Sequence, residues 1–236
     1  MQQYINDGIF ALLKLAALSL EKSGNNFGIA FFLALTIATA TAAIIFALGK
    51  NGSFFLLNGN HNSYFDLFFK YYTHAGDGWT WVPVVLACIF FKKKYLVAVI
   101  AGIVFSTLLG QILKRVVFPD ELRPITFLAD NFPVHIIDGV YMLKTHSFPS
   151  GHTTTAFTIA LILAHIINKK SWSVILPLLA LLAGYSRVYL GEHFLTDVLA
   201  GICIGILSAI LALMVYKSFI KILHIKKPSG IKAMEG

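Results

Sequence analysis

His193 and Asp197 have the sequence spacing of a catalytic pair. Residues four apart share one face of a helix, so the carboxylate can bond one imidazole nitrogen. That bond fixes the tautomer of the ring and leaves the other nitrogen free to attack. The alternative is a satisfied His–Asp pair at a membrane interface. The spacing favours the functional interpretation, because ionisable groups at the end of a membrane helix are costly and usually serve a function.

Ser150, Gly151 and His152 mark the start of a helix. Ser150 can cap the helix, and Gly151 lets a ligand approach the backbone closely. The free N–H groups of the first turn and the helix dipole then form an anion site. His152 places a titratable proton carrier beside that site. The alternative is an ordinary capped helix with a surface histidine.

Lys114, Arg123 and Arg187 come from three separate segments and could supply the cations for such an anion. A single Arg at a membrane edge is more often an interfacial anchor. Arg binds phosphoryl oxygens through paired N–H groups, and Lys adds a point charge. The same charges would stabilise a phosphoryl-transfer transition state. Three cations beside a Ser-Gly-His helix start therefore indicate phosphate chemistry.

Together, the three segments resemble the three signature motifs of the type 2 phosphatidic acid phosphatase family, over roughly residues 76–210. The motifs are Lys…Arg-Pro (Lys114…Arg123-Pro124), Pro-Ser-Gly-His (149–152) and Ser-Arg…His…Asp (186–197). Eight residues separate Lys114 from Arg123, which is more than is usual in the family. Arg115 could therefore fill the first cation position, although Lys114 has the expected side chain.

The resemblance implies a role for each residue. His193 would be the nucleophile and form a phosphohistidine, and Asp197 would orient it. His152 would protonate the leaving oxygen and then activate water. The phosphate would be held by Lys114, Arg123, Ser150, Gly151 and Arg187. Enzymes of this family need no metal and no other cofactor, which agrees with the lack of Cys-x-x-Cys or His-Glu-x-x-His spacing in the sequence.

The other polar candidates have no motif partner in the sequence. We interpret four histidines of the predicted outer side as interfacial or loop residues: His61, His74, His135 and His146. Cys88 and Cys203 lie within apolar runs, which is typical of small buried hydrophobic residues and not of a disulfide or metal pair.

The composition is that of an integral membrane protein. Of the 236 residues, 57% are hydrophobic and 13% are charged, with a mean hydropathy of +0.76. Soluble domains carry about 25% charged residues. The net charge is +8, but the basic residues form short clusters between apolar runs. That pattern marks the cytoplasmic side of a membrane protein and argues against a nucleic-acid surface.

We predict an all-α polytopic fold with six transmembrane helices. The expected spans cover residues 27–48, 79–91, 95–113, 150–167, 172–185 and 196–216. Residues 1–26 are expected to form an interfacial segment, 27–216 the six-helix transmembrane domain, and 217–236 a basic cytoplasmic tail.

The lysine clusters predict the orientation of this fold. Those at 92–94 and 169–170 and in the tail fall on the side of the N-terminus, so both termini are expected in the cytoplasm. The loops at 50–78, 114–149 and 186–196 then share the outer side. The expected active site lies at the outer membrane–water boundary, facing the periplasm of a bacterial inner membrane.

These features predict a phosphatase that acts on a membrane lipid and releases inorganic phosphate. Expected substrates are phosphatidic acid, phosphatidylglycerol phosphate, a polyprenyl diphosphate or a lipid A phosphate. The alternatives are a lipid phosphotransferase on the same scaffold, a vanadate haloperoxidase, and a non-enzymatic lipid-binding or transport protein.

Overall fold

The computed structural model describes residues 25–128 and 134–225. Within them the chain is helical and contains no strand, which confirms the all-α prediction. The α-helices are α1 (Asn25–Asn58), α2 (Ser63–Tyr72), α3 (Trp81–Phe91), α4 (Leu96–Ile112), α5 (Pro124–Phe127), α6 (Gly151–Ile167), α7 (Lys170–Tyr189) and α8 (Leu195–Ile225). A π-helical turn, Leu113–Val117, extends α4. The predicted interfacial segment and the end of the predicted tail lie outside the described residues.

Four of these helices are long and apolar enough to cross a membrane: α1, α4 with its π-helical turn, α7 and α8. Two further apolar helices, at 78–91 and 151–167, coincide with predicted spans but are shorter. A straight crossing of a ~30 Å hydrocarbon core needs about 20 residues. The prediction of a membrane-spanning helical bundle is confirmed for four helices.

Helix α6 lies at the centre of the bundle, packed against α4, α7 and α8. Its Phe157, Leu161 and Ile162 side chains are fully buried. Gly201 of α8 permits a close approach, because a Cβ there would lie 2.7 Å from the Ser150 carbonyl oxygen. The contact places the first turn of α8 against the first turn of α6, where the Ser150 N–H donates to the Asp197 carbonyl at 3.0 Å.

Helix α1 differs from the predicted first span. At Gly49 the backbone has φ 69° and ψ 178°, a conformation essentially restricted to glycine, and the helix bends there. It then continues to Asn58, whose side-chain amide donates to the Val188 and Tyr189 carbonyls at 3.0 and 2.9 Å. The predicted outer loop at 50–78 therefore begins with a helical segment docked on the end of α7.

Two other boundaries differ from the prediction. Helix α2 lies within the region predicted as loop, and its first turn is capped by the Asn62 side chain, which accepts from the Phe65 N–H. Helix α8 continues to Ile225, beyond the predicted end of the sixth span at residue 216.

The predicted site residues gather at one end of the bundle. They lie after the C-terminus of α4, at the N-terminus of α6, in the last turn of α7 and in the first turn of α8. Because neighbouring helices run in opposite directions, the C-termini of α4 and α7 and the N-termini of α6 and α8 lie at the same end of the bundle.

Candidate active site

His193 lies in the short connection between α7 and α8 and is only 1% exposed. Its Nδ1 is 3.2 Å from Asp197 Oδ2. The same carboxylate oxygen accepts from the Ser147 hydroxyl at 2.5 Å and from the Phe194 N–H at 3.1 Å. Because a carboxylate only accepts, this arrangement places the imidazole proton on Nδ1 and leaves the Nε2 lone pair available.

The surroundings of His193 favour its neutral form. Burial, followed by the positive charges of Arg123 and Lys114, lowers the pKa of His193 well below 6.5. The neutral imidazole is the nucleophilic form of the ring. The structure therefore combines the protonation state and the tautomer that an attacking histidine requires.

Arg123 and Arg187 converge on one buried carboxylate, that of Glu192. The Arg123 guanidinium donates to Glu192 Oε2, and Arg187 Nη2 lies 3.4 Å from the same oxygen. Arg187 also donates to Thr73 Oγ1 at 2.5 Å. All three charged side chains are less than 10% exposed. Glu192 was not among the predicted site residues, although it immediately precedes His193.

The cation cluster keeps hydrogen-bonding capacity for a ligand. Arg187 Nε is buried and has no hydrogen-bond partner among the described residues. The three cations, Lys114, Arg123 and Arg187, lie among the carboxylates of Glu192, Asp197 and Asp77. Buried donors without partners are rare, and a guanidinium N–H beside two further cations is able to bind an anion.

The structure distinguishes the two candidates for the first cation position. Lys114 lines a cavity together with Gly151 and His152, and its charge acts on His193. Arg115 is exposed, and its Nε donates to Gln111 Oε1 at 2.8 Å. The structure therefore brings Lys114, and not Arg115, to the site.

Ser150 is the N-cap of α6, and its hydroxyl bonds within that helix. The hydroxyl accepts from the Thr153 N–H at 3.4 Å and bonds the Thr153 hydroxyl at 2.9 Å, and the residue is fully buried. The hydroxyl therefore bonds within the first turn of α6, and its contact with phosphate stays a prediction. Gly151, in contrast, faces open space, with no atom within 4 Å of a Cβ built on it.

His152 has a carboxylate partner that sequence reasoning missed. Its Nε2 lies 2.7 Å from Asp77 Oδ1, and His74 Nδ1 lies 2.6 Å from Asp77 Oδ2. The hydrogen bond from His152 lowers the pKa of Asp77 below its usual 3.8. His74, which the sequence indicated as an interfacial or loop histidine, lies in the short 3₁₀ turn Thr73–Gly76 and contacts Asp77. Its partner Asp77 lies in a Gly-Asp-Gly turn that the sequence indicated only as a helix entry.

His61 and His135, which the sequence indicated as interfacial or loop histidines, lie in connecting segments and share a carboxylate neighbour. Both meet Asp66 of α2, with His135 Nε2 at 3.1 Å from Oδ2 and His61 Nδ1 at 3.5 Å from Oδ1. His146 is exposed and contacts Thr145. His135 is 69 residues from Asp66, so this contact left no signal in local sequence spacing.

A cavity of about 290 Å³ opens beside His152 and Lys114. Polar groups from α4 and α6 line much of it, among them Ser106, Gln111 and Thr155. The neighbouring outer surfaces of α3 and α4 expose large apolar side chains, including Phe90 and Leu108. A polar cavity beside an apolar surface suits a ligand with a charged head and an apolar body.

Comparison with known proteins matches this geometry to a family. The sequence profile described as PAP2 superfamily matches residues 94–221, which contain all three motif segments. The lipid A 4'-phosphatase of Porphyromonas gingivalis is 32% identical over 167 residues, covering 65% of this chain and 67% of that protein.

Two solved structures are similar over most of their length. The crystal structure of Aquifex aeolicus LpxE has a TM-score of 0.62 and 35% identity, covering 68% of this chain and 92% of that chain. The crystal structure of a transmembrane PAP2 type phosphatidylglycerolphosphate phosphatase from Bacillus subtilis has a TM-score of 0.55 and 27% identity, covering 84% and 97%.

Proposed function

Because this chain belongs to the PAP2 superfamily, we propose that it hydrolyses the phosphate group of a membrane lipid through a phosphohistidine at His193. The chain is an integral membrane protein and a phosphatase, like its relatives. The observation that carries the proposed mechanism is the buried His193 imidazole, held by Asp197 and surrounded by the cations of three segments.

In the first step, His193 Nε2 attacks the phosphorus atom. The N–P bond forms as the bond from phosphorus to the lipid oxygen breaks, and His152 gives its proton to that leaving oxygen. The Asp197 carboxylate stabilises the positive charge that develops on the His193 ring. Ser147 and the Phe194 amide hold this carboxylate in place, so its orientation does not change during the reaction.

In the second step, water replaces the lipid alcohol. His152 takes a proton from the water, the water oxygen bonds to phosphorus, and the N–P bond breaks to release inorganic phosphate. Asp77 accepts a hydrogen bond from His152 and stabilises the imidazolium that forms after proton uptake. This carboxylate suits His152 to the acid and base roles in turn.

The cation cluster would hold the transferred group. A phosphoryl group bound next to His193 would be surrounded by three cations and two backbone amides. These are the side chains of Lys114, Arg123 and Arg187 and the N–H groups of Gly151 and His152. Glu192 is the counter-ion of the two guanidinium groups in the structure without substrate. The phosphate oxygens replace this carboxylate when the substrate binds, since they offer the same guanidinium groups an anion of higher charge.

The cavity beside His152 would receive the leaving group, with the apolar chains remaining in the bilayer. Phosphatidic acid, phosphatidylglycerol phosphate, a polyprenyl diphosphate and a lipid A phosphate all place a phosphoryl group at such a boundary. The relatives named for lipid A and phosphatidylglycerol phosphate support this class of substrate. We place the site on the periplasmic side of a bacterial inner membrane, with six crossings and both termini in the cytoplasm.

The proposal is tested by phosphate release from the purified chain in detergent or vesicles, against a panel of these lipids. Wild type should release inorganic phosphate, and His193→Gln should release none while keeping its helical content. Lys114→Gln should lower the rate by about tenfold or more, since a charged hydrogen bond contributes roughly 1.5–3 kcal/mol. The matched Arg115→Gln variant should stay within about twofold of wild type. Turnover in His193→Gln would contradict the proposed nucleophile.

A further inference from the structure

Three potential metal ligands meet on the outer face of α2, away from the His193 nucleophile. His61 lies in the connection between α1 and α2, Asp66 in the first turn of α2, and His135 in the long segment before α6. One donor atom from each lies within 4.8 Å of the others. None of these residues has a role in the phosphatase mechanism.

The separations of the donor atoms fit a shared metal ion. Asp66 Oδ2 is 3.1 Å from His135 Nε2, and Asp66 Oδ1 is 3.5 Å from His61 Nδ1. In a tetrahedral zinc site with ligands at about 2.0–2.1 Å, neighbouring donor atoms lie about 3.3–3.4 Å apart. The two distances end on different oxygens of the Asp66 carboxylate, so a shared ion would bind both oxygens or the His61 ring would turn toward Oδ2.

The His61 ring has Asp66 as a charged neighbour, with 3.5 Å between Nδ1 and Oδ1. Both of its nitrogens are buried and neither forms a hydrogen bond with the described residues. The ring lies against that of His135, with centroids 3.8 Å apart and an angle of 31° between the planes. Two imidazolium rings would repel one another at this distance. Two neutral rings that share a metal ion satisfy both the burial and the proximity.

A further residue holds the carboxylate in position. The Tyr189 hydroxyl donates to Asp66 Oδ1 at 2.6 Å, and Tyr189 itself is only 1% exposed. A hydrogen bond to a ligating carboxylate from the surrounding protein is a regular feature of metal sites and fixes the direction of the ligand. The cluster is therefore supported from the rigid end of α7 and does not depend on surface side chains alone.

The ion would connect three segments that meet over the catalytic turn. Val134, next to His135, packs on Gly191, where a Cβ would approach its Cγ1 to 2.7 Å. Gly191 precedes Glu192 in the turn that leads to His193. A metal ion held by His135, Asp66 and His61 would thus fix the segment before α6 against this turn.

We propose that His61, Asp66 and His135 form a binding site for a zinc-type divalent transition-metal ion that clamps the segment before α6 onto α2. Two imidazole nitrogens with one carboxylate favour zinc and similar transition metals over magnesium and calcium, which prefer oxygen ligands. Water completes the coordination. The ion has a structural role and takes no part in phosphoryl transfer, so the proposal stands independently of the proposed mechanism.

The test is metal binding by the purified, tag-free chain after treatment with a chelator. Isothermal titration with Zn²⁺ should show one site per chain, and Mg²⁺ should not compete for it. Co²⁺ should bind with the visible absorption of a low-symmetry nitrogen–oxygen site. Zn²⁺ should also raise the melting temperature, because an ion that binds only the folded state stabilises it.

Variants identify the ligands. His61→Gln and His135→Gln should each weaken Zn²⁺ binding by more than about 100-fold, and Tyr189→Phe by about 10- to 100-fold. His146→Gln removes an exposed histidine from the same segment as His135 and should bind like wild type. The circular dichroism spectrum of each variant verifies its fold. Absence of Zn²⁺ binding in wild type, or equal binding in His61→Gln and His135→Gln, would overturn the proposal.

Discussion

Replacing Glu192 with Gln tests the idea that this carboxylate occupies the place of the substrate phosphate. Glu192 is 3% exposed and faces the guanidinium groups of Arg123 and Arg187. The amide keeps the size of the side chain and one acceptor oxygen, but it loses the charge. Phosphate entering the variant no longer has to displace an anion, whereas the free protein loses its internal counter-ion.

The magnitude follows from the lost charge-assisted hydrogen bond. Such bonds contribute about 1.5–3 kcal/mol. In wild type, phosphate must displace this hydrogen bond in order to bind. In Glu192→Gln it does not, so inorganic phosphate should inhibit the variant at concentrations about ten- to a hundredfold lower than those that inhibit wild type. The same loss should lower the melting temperature of the phosphate-free protein by about 3–12 °C. Added phosphate should restore most of that difference.

The assay is inhibition of lipid phosphate hydrolysis by inorganic phosphate, together with melting curves at increasing phosphate concentration. Glu121→Gln is the matched control, because the Glu121 side chain is 44% exposed and only approaches Lys50 at 3.7 Å. It should change neither quantity measurably. Equal or weaker phosphate inhibition in Glu192→Gln would refute the reasoning, because it would mean that the carboxylate does not compete with the ligand.

Three further predictions concern the nucleophile and the anion site. Asp197→Asn should lower the turnover number by roughly 10⁴-fold with little change in melting temperature, because the amide no longer fixes the Nδ1–H tautomer of His193; a drop below about tenfold would contradict that role. Gly151→Ala should keep or raise the melting temperature, since the new methyl meets no atom in the free protein, yet lower kcat/KM by occupying the space of the phosphate; unchanged kcat/KM would place the anion elsewhere. Because the pKa of His193 is lowered in the folded protein, the unfolded chain binds more protons below pH 6.5. The contribution of His193 to the free energy of unfolding is therefore fully present above that pH. Below it, the free energy of unfolding falls by at most about 1.4 kcal/mol per pH unit. Melting curves between pH 7.5 and about pH 5 should show a smaller acid loss in His193→Gln, and an identical loss would show that His193 is not held neutral.

The site residues that could be predicted from the sequence lie in short motifs within single segments of the chain. His193 and Asp197 are one helical turn apart, and the N-cap role of Ser150 follows from its position before an apolar run. Such relations are set by helix geometry and can be derived without tertiary structure. The Thr153 N–H and hydroxyl are the partners of the Ser150 side chain, as this N-cap position implies.

The residues that were missed depend on packing between distant segments. Asp77 meets His152 across 75 residues of sequence, and His135 meets Asp66 across 69. Periodicity carries no information about such pairs. Glu192 was adjacent to a predicted residue, but spacing alone does not tell which way a side chain in a turn points.

Helix α2 was missed although the sequence contained its pattern. Phe65, Phe68, Phe69 and Tyr72 recur at the spacing of one helical face, after the N-cap residue Asn62. The segment was nevertheless predicted as part of the outer loop at 50–78. The bend at Gly49 is different, because the sequence shows a glycine but not whether the chain turns or ends there.

The most direct test of the account is to trap the covalent intermediate. Lipid substrate labelled with ³²P at the scissile phosphate is mixed with the purified protein and quenched during turnover in alkaline denaturant, because a phosphohistidine is labile in acid. The account predicts label on the wild-type chain, in a peptide containing His193, and none on His193→Gln. Label that persists in His193→Gln, or a wild-type chain that turns over without acquiring label, would contradict it.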